Sequence, residues 1–124
     1  MGETRALPAP DPAAVLTRAL TGAAHRLQLR NRHLAEVIGT SEASISRLGA
    51  GRTIAPDSKE GELGLLFLRL FRSLDALMGG DEVKARAWLR AENTHLGGVP
   101  GELMKRAEGL VDVVHYLDAM RGRL

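Results

Sequence analysis

Apolar residues recur along this chain at steps of three and four, and the rhythm breaks at Gly, Pro, Ser or Asp, so the pattern divides into helices separated by turns. In "DPAAVLTRAL", Asp11 is placed to cap free amides, and Pro12 suits the first helical position, where its missing N–H costs nothing. Leu16, Leu20, Ala23 and Leu27 then form one stripe, with an interruption expected near Gly22. Two shorter pieces follow in "NRHLAEVIGTSEASISRLGAG". Asn31 reads as an N-cap, Leu34, Val37 and Ile38 give one apolar face, and Gly39 stops the helix. Ser41 opens a second short helix from Ser44 to Leu48, closed by Gly49-Ala50-Gly51. Helices below ~12–15 residues are marginal in isolation, so both must pack on their neighbours. Two short helices around a Gly-containing turn are a helix-turn-helix pattern.

Beyond the turn-rich "TIAPDSKEGEL", a long helix is marked by Leu63, Leu66, Phe67, Leu70, Phe71, Leu74 and Leu77. Its wide apolar arc suits a plain core helix joining two halves, and residues 63–78 also offer a seam for a homodimer. Gly79 and Gly80 end it, and Asp81 caps "EVKARAWLRA", with Asp81 and Glu82 at the positive helix end. "ENTHLGGVPG" reads as a loop and Glu102 to Ala107 as a short helix. Gly109 reads as a C-cap or bend, and Leu110, Val113, Val114 and Leu117 mark the buried side of a last helix.

The expected fold is all-α. Residues 1–10 form a flexible lead, 11–60 a helix-turn-helix domain, 61–80 a connecting or dimerisation helix, 81–120 a small C-terminal helical domain and 121–124 a basic tail. Phe67, Phe71 and Trp88 read as structural core. A composition 44% hydrophobic but only 3% aromatic agrees with helices rather than a sandwich or barrel. At 124 residues the chain makes one compact domain or two small ones that share a core.

Charge changes the picture by its position. The net charge is only +2, yet Arg18 to Arg52 holds six Arg against two Glu, while Gly61 to Leu124 carries nine residues of each sign. A basic first half is the footprint of a weak nucleic-acid face. The chain lacks Cys, which excludes disulfides and thiolate metal sites. Its first residues lack the apolar core of a secretory signal, and no apolar run approaches the ~20 residues that span a bilayer, so a cytoplasmic protein is expected.

Candidate chemistry is sparse. His25, His33, His95 and His115 are spread without HExxH or a paired carboxylate, so neither a metal site nor a cofactor is expected. Ser41, Ser44 and Ser46 have the spacing of caps and phosphate contacts rather than of a nucleophilic triad, and "GGVPG" follows no strand that would make it a nucleotide cradle. The chain does not read as an enzyme.

A recognition helix must be short and small-sided to enter a major groove about 12 Å wide. In "TSEASISRL", Ile45 and Leu48 face the core, leaving Glu42, Ala43, Ser44, Ser46 and Arg47 outward. Arg47 suits guanine or phosphate, Ser44 either, and Glu42 cytosine, with Arg30, Arg32 and Arg52 as phosphate contacts. "LAEVIGTSEASISRLGAG" resembles the helix-turn-helix of phage-repressor-like regulators, with Leu34, Ala35, Ile38, Gly39, Ile45, Ser46 and Arg47 in the matching places. It departs from them at Gly49, where an acidic residue is usual. A monomer of this charge binds DNA weakly, and useful affinity needs a dimer reading two half-sites.

"ARAWLRAENTHLGGVPGELMKRAEGLVDVVHYLDAM" resembles the C-terminal domain of the Xre/MbcA/ParS-like antitoxins. Ala85, Trp88 and Leu89 match its Ala-x-x-Trp-Leu. Asn93, Leu96, Gly97 and Gly98 match its Asn and Leu-Gly-Gly, and Pro100, Leu103, Gly109, Val113 and Leu117 match the remainder. Glu92 stands where that family usually has Pro, and Val99 where Thr or Ser is common. The resemblance implies an antitoxin paired with a RES-domain toxin, the toxin rather than this chain using NAD+, either degrading it or transferring ADP-ribose. It further implies occlusion of the toxin's active site by the C-terminal domain, autorepression through the helix-turn-helix, and a homodimer within a larger toxin–antitoxin hetero-oligomer.

The candidate toxin-binding residues are then Asn93, His95, Leu96, Gly97 and Gly98 in the loop, Tyr116 and Met120 on the last helix, and Arg121, Arg123 and Leu124 in the tail. The arginines and terminal carboxylate suit a pocket made for pyrophosphate and carboxamide groups. Two other readings are a stand-alone repressor whose C-terminal half only dimerises, and an adaptor with an inactive helix-turn-helix.

Overall fold

The computed structural model describes residues 9–122, and within them the chain is helical. The helices are α1 (Pro12–Arg26), α2 (Asn31–Ile38), α3 (Glu42–Ser46), α4 (Lys59–Leu77), α5 (Glu82–Arg90), α6 (Pro100–Leu103) and α7 (Ala107–Gly122). No described helix is long and apolar enough to cross a membrane.

Local chemistry sets most boundaries. The Asp11 carboxylate accepts from the Ala13 amide, the Ser58 hydroxyl from Gly61 and the Asp81 carboxylate from Lys84, each satisfying a helix-end donor that would otherwise be unpaired. Gly39 ends α2 in the left-handed region at φ 74°, where a Cβ would be strained, and this reverses the chain into α3.

Several boundaries differ from the sequence expectation. Helix α3 spans Glu42–Ser46 rather than Ser44 to Leu48, because the helix starts directly after its Ser41 cap. Helix α1 runs unbroken through Gly22, because a lone glycine leaves the backbone hydrogen bonds intact and costs only about 1 kcal/mol. The residue before α2 is Arg30, without a side-chain cap, and Asn31 is already helical. Pro100, with its φ preset, starts α6 earlier than expected, and α7 begins at Ala107, so Gly109 lies inside a helix. A Cβ at Gly109 would stand 1.9 Å from the Leu103 carbonyl oxygen, and this close approach lets α7 turn directly out of α6.

Helix α4 is the centre of the molecule. It packs on α1 and α2 along one side and most extensively on α7 along another. Leu20, Phe67, Leu70, Leu74, Leu110 and Val113 are fully buried, so one core runs through both halves. Thr17 pins the connector before α4 to α1. Its buried hydroxyl donates to the Ala13 carbonyl at 2.7 Å and accepts from the Ile54 amide at 2.8 Å. Phe67 fills the core as expected, but Phe71 and Trp88 are only half-buried. Phe71 lies under the Arg26 guanidinium at 5.0 Å, which holds its ring at the surface.

Candidate functional site

Two faces emerge, one in the first half of the chain and one in the second. The first is the helix-turn-helix. Helix α3 is five residues long and held by one buried anchor, Ile45, at 5% exposure. The Ser44 amide donates to Ser41 Oγ at 3.1 Å, and the two serine hydroxyls lie 3.0 Å apart. Ser44 is therefore half-buried in the cap, whereas Glu42, Ala43, Ser46 and Arg47 are exposed. The Ser46 hydroxyl is spent on the Ala43 carbonyl at 2.8 Å, and Arg47 makes no ion pair among the described residues.

The flanking arginines divide. Arg52, expected to meet phosphate, instead binds Glu60 through one guanidinium nitrogen at 2.8 and 3.1 Å, with both side chains 28% exposed. That pair fastens the turn after α3 to the first turn of α4. Arg30 and Arg32 sit at the start of α2, lining a cleft between the two halves, and Arg32 is 79% exposed despite a 3.4 Å contact with Glu36.

The second face is built around the Asn93–Gly98 turn. The Asn93 amide donates to the Gly98 carbonyl at 2.8 Å, and the Gly97 and Gly98 amides return to the Asn93 carbonyl at 2.9 and 3.2 Å. The Asn93 side chain accepts from the Leu96 amide at 3.0 Å, so it organises the turn instead of reaching outward. Gly97 takes φ 76°, as such a turn requires. Leu96 packs against the core and Gly98 against Leu103, which leaves His95 as the exposed side chain of the turn's predicted set.

His95 leans on Tyr116 with ring centroids 5.8 Å apart, and Tyr116 stacks on Trp88 at 6.1 Å and 19° between planes. Three helical and turn segments thus contribute one aromatic ladder, partly open to solvent, with half-buried Met120 one turn beyond Tyr116 on α7. Trp88, read from sequence as core, belongs to this ladder. A lone Trp among Ala and Leu carries no local signal of what will stack on it.

Arg121 is helical and held back. Its guanidinium donates to Ser73 Oγ at 3.2 Å, Ser73 donates to Asp118 at 2.8 Å, and Arg69 pairs with the same carboxylate. Arg121, expected in the basic tail, is thus still part of α7, while Arg123 and Leu124, like most of the lead, lie outside the described residues. Among the described residues, no three His, Asp or Glu side chains are grouped to hold a metal ion.

Two family models match the chain. Residues 6–69 match the antitoxin Xre-like helix-turn-helix domain, and residues 73–123 match the antitoxin Xre/MbcA/ParS C-terminal toxin-binding domain. Among solved structures, the fold is similar to a chain in the crystal structure of the M. tuberculosis MbcT–MbcA toxin–antitoxin complex. The TM-score is 0.67 at 22% identity, over 89% of this chain and 96% of that one. No curated protein matches.

Proposed function

The chain belongs to the Xre/MbcA/ParS antitoxins, with their helix-turn-helix and toxin-binding domains in order, and from that premise we propose how it acts. It neutralises a RES-domain toxin that consumes NAD+ or transfers ADP-ribose, by lying over the toxin's active site with the aromatic face of its C-terminal half. The observation that carries this reading is the His95–Tyr116–Trp88 ladder beside a rigid turn. Trp and Tyr dominate interface hot spots because they bury much area at little entropic cost, and a preformed ladder loses little freedom on docking. Tyr116 and Met120 supply the apolar centre, with His95 at the polar edge. The chain contributes shape and no reactive group.

The helix-turn-helix represses the operon by placing α3 in the major groove. Arg47 contacts guanine or phosphate, Glu42 and Ala43 line the groove, and Arg32 meets the backbone. Two copies, paired along α4, supply the two half-sites, and exposed Leu65 marks the open side of that helix.

Co-expression with the product of the adjacent gene tests the first claim. A stoichiometric complex in which NAD+ consumption is abolished is the expected result, and independent purification of two active proteins overturns it. Gel shifts on the upstream DNA at two salt concentrations test the second, since phosphate-dominated binding weakens steeply with salt.

A further inference from the structure

Between the two halves lies a cleft of about 500 Å³ that is used by neither the groove-reading helix nor the aromatic face. Its walls are the α1–α2 turn and the outer side of α2 on one flank, and α5 with α6 on the other. Half-buried Leu29 and Val99 give it aliphatic surface, with the buried Leu27 and Leu89 beneath them. Five cations line it, Arg30, Arg32, Arg86, Arg90 and Lys105, against two carboxylates, Glu36 and Glu102.

The internal pairing is uneven. Lys105 occupies both carboxylates, at 2.6 Å from Glu102 and 3.4 Å from Glu36, and Arg32 shares Glu36. Arg86 donates to the Arg26 carbonyl at 3.0 Å and approaches Glu82 at 3.8 Å. Arg30 and Arg90 have no carboxylate partner among the described residues, so the positive surplus of the cleft rests on them. His33 Nε2 meets the Gly101 carbonyl at 2.6 Å, tying the two flanks together.

We propose that this cleft binds a small organic phosphate of nucleotide size. Planar guanidinium groups match phosphate oxygens in paired hydrogen bonds, and they also stack on flat rings. Arg30 and Arg90 hold the phosphate, and the body of the ligand lies on Leu29 and Val99. The volume falls in the range of about 300–1,000 Å³ typical of small-ligand sites, and a cleft walled on both flanks suits a small anion better than the convex surface of a duplex. Because the ligand touches α2 and α5 together, its binding stabilises the junction of the DNA-facing and toxin-facing halves.

The test is calorimetric titration of the full chain with AMP, ATP, adenosine, inorganic phosphate and a short DNA duplex, alongside thermal melting. AMP or ATP is expected to raise the melting temperature and bind about ten-fold or more tighter than adenosine or phosphate alone. Arg30→Gln with Arg90→Gln, both at exposed positions, is expected to reduce that affinity about ten-fold or more with the ligand-free melt unchanged. If the double variant melts lower, Arg90→Gln alone carries the comparison. The proposal is overturned if no nucleotide binds, if wild type and variant bind nucleotide equally, or if the substitutions weaken only duplex binding, which would make the cleft part of the nucleic-acid face.

Discussion

The helix-turn-helix and the aromatic C-terminal face of this molecule are built in opposite ways. Helix α3 is assembled from neighbours in sequence, with Ser41 capping Ser44, Gly39 turning the chain and Ile45 anchoring five residues. The aromatic face is assembled from positions 88, 95 and 116, which only the packing of α5, the turn and α7 brings together. A local device tolerates substitution of its outward side chains, whereas a composite face depends on the core beneath it. Both ends nevertheless rest on α4, so a sufficiently deep change should abolish the distinction.

Phe67→Ala is that change and carries the largest expected effect. Emptying a fully buried aromatic site costs about 3–5 kcal/mol. Denaturant unfolding should show one transition shifted as a whole, with DNA and toxin binding lost together, while two separated transitions would break the shared-core picture. Tyr116→Ala sharpens the comparison from the other side. Removing the middle of the ladder should lower toxin affinity by about 2 kcal/mol or more, roughly thirty-fold, with operator binding unchanged in the same preparation.

Arg47→Ala is the mirror experiment. Gel-shift titration should show a loss of about 1–3 kcal/mol in operator affinity, with inhibition of the toxin intact. Arg52→Ala should differ from it in kind. Its guanidinium is bound to Glu60, so thermal melting should register up to about 1 kcal/mol, and DNA affinity should stay near wild type.

The smallest effect concerns the cleft between the ends. The Lys105 hydrogen bond, with an opposing effect of burial, holds the Glu102 carboxyl below the usual carboxylate range. A carboxyl lowered in the folded state stabilises above its unfolded pKa, and that contribution fades as pH falls through the lowered value. Because Glu102 is exposed, wild type and Glu102→Gln should differ only slightly in melting temperature near neutrality, and this difference should vanish in acid.

The helices themselves were legible in the sequence because their information is local. Asp11, Ser41 and Asp81 cap by reaching two or three residues along, and the stripes of α1, α4 and α7 repeat at the helical period. The exposed side of α3 was legible for the same reason, Glu42, Ala43, Ser46 and Arg47 facing outward around buried Ile45. The Arg52–Glu60 pair was not foreseen because Glu60 lies 8 residues further on, across the turn-rich connector and outside any helical spacing. The stacking of Trp88 on Tyr116, and the gathering of Arg30 and Arg32 with Arg86, Arg90 and Lys105 in one cleft, escaped because both arise between segments, and one-dimensional spacing does not encode them. Asn93 carried the right emphasis for a different task, since its side chain builds the turn that presents His95.

The central claim is that the C-terminal face plugs the toxin while the helix-turn-helix serves DNA alone. Titrating purified toxin with increasing amounts of this chain, while following NAD+ consumption, tests it most directly with the wild type and a His95→Ala, Tyr116→Ala double variant. The account predicts complete loss of turnover at a stoichiometric amount of wild type, and a large excess of the double variant needed for the same inhibition. Equal inhibition by the two proteins, with the variant folded and still binding operator DNA, would contradict it.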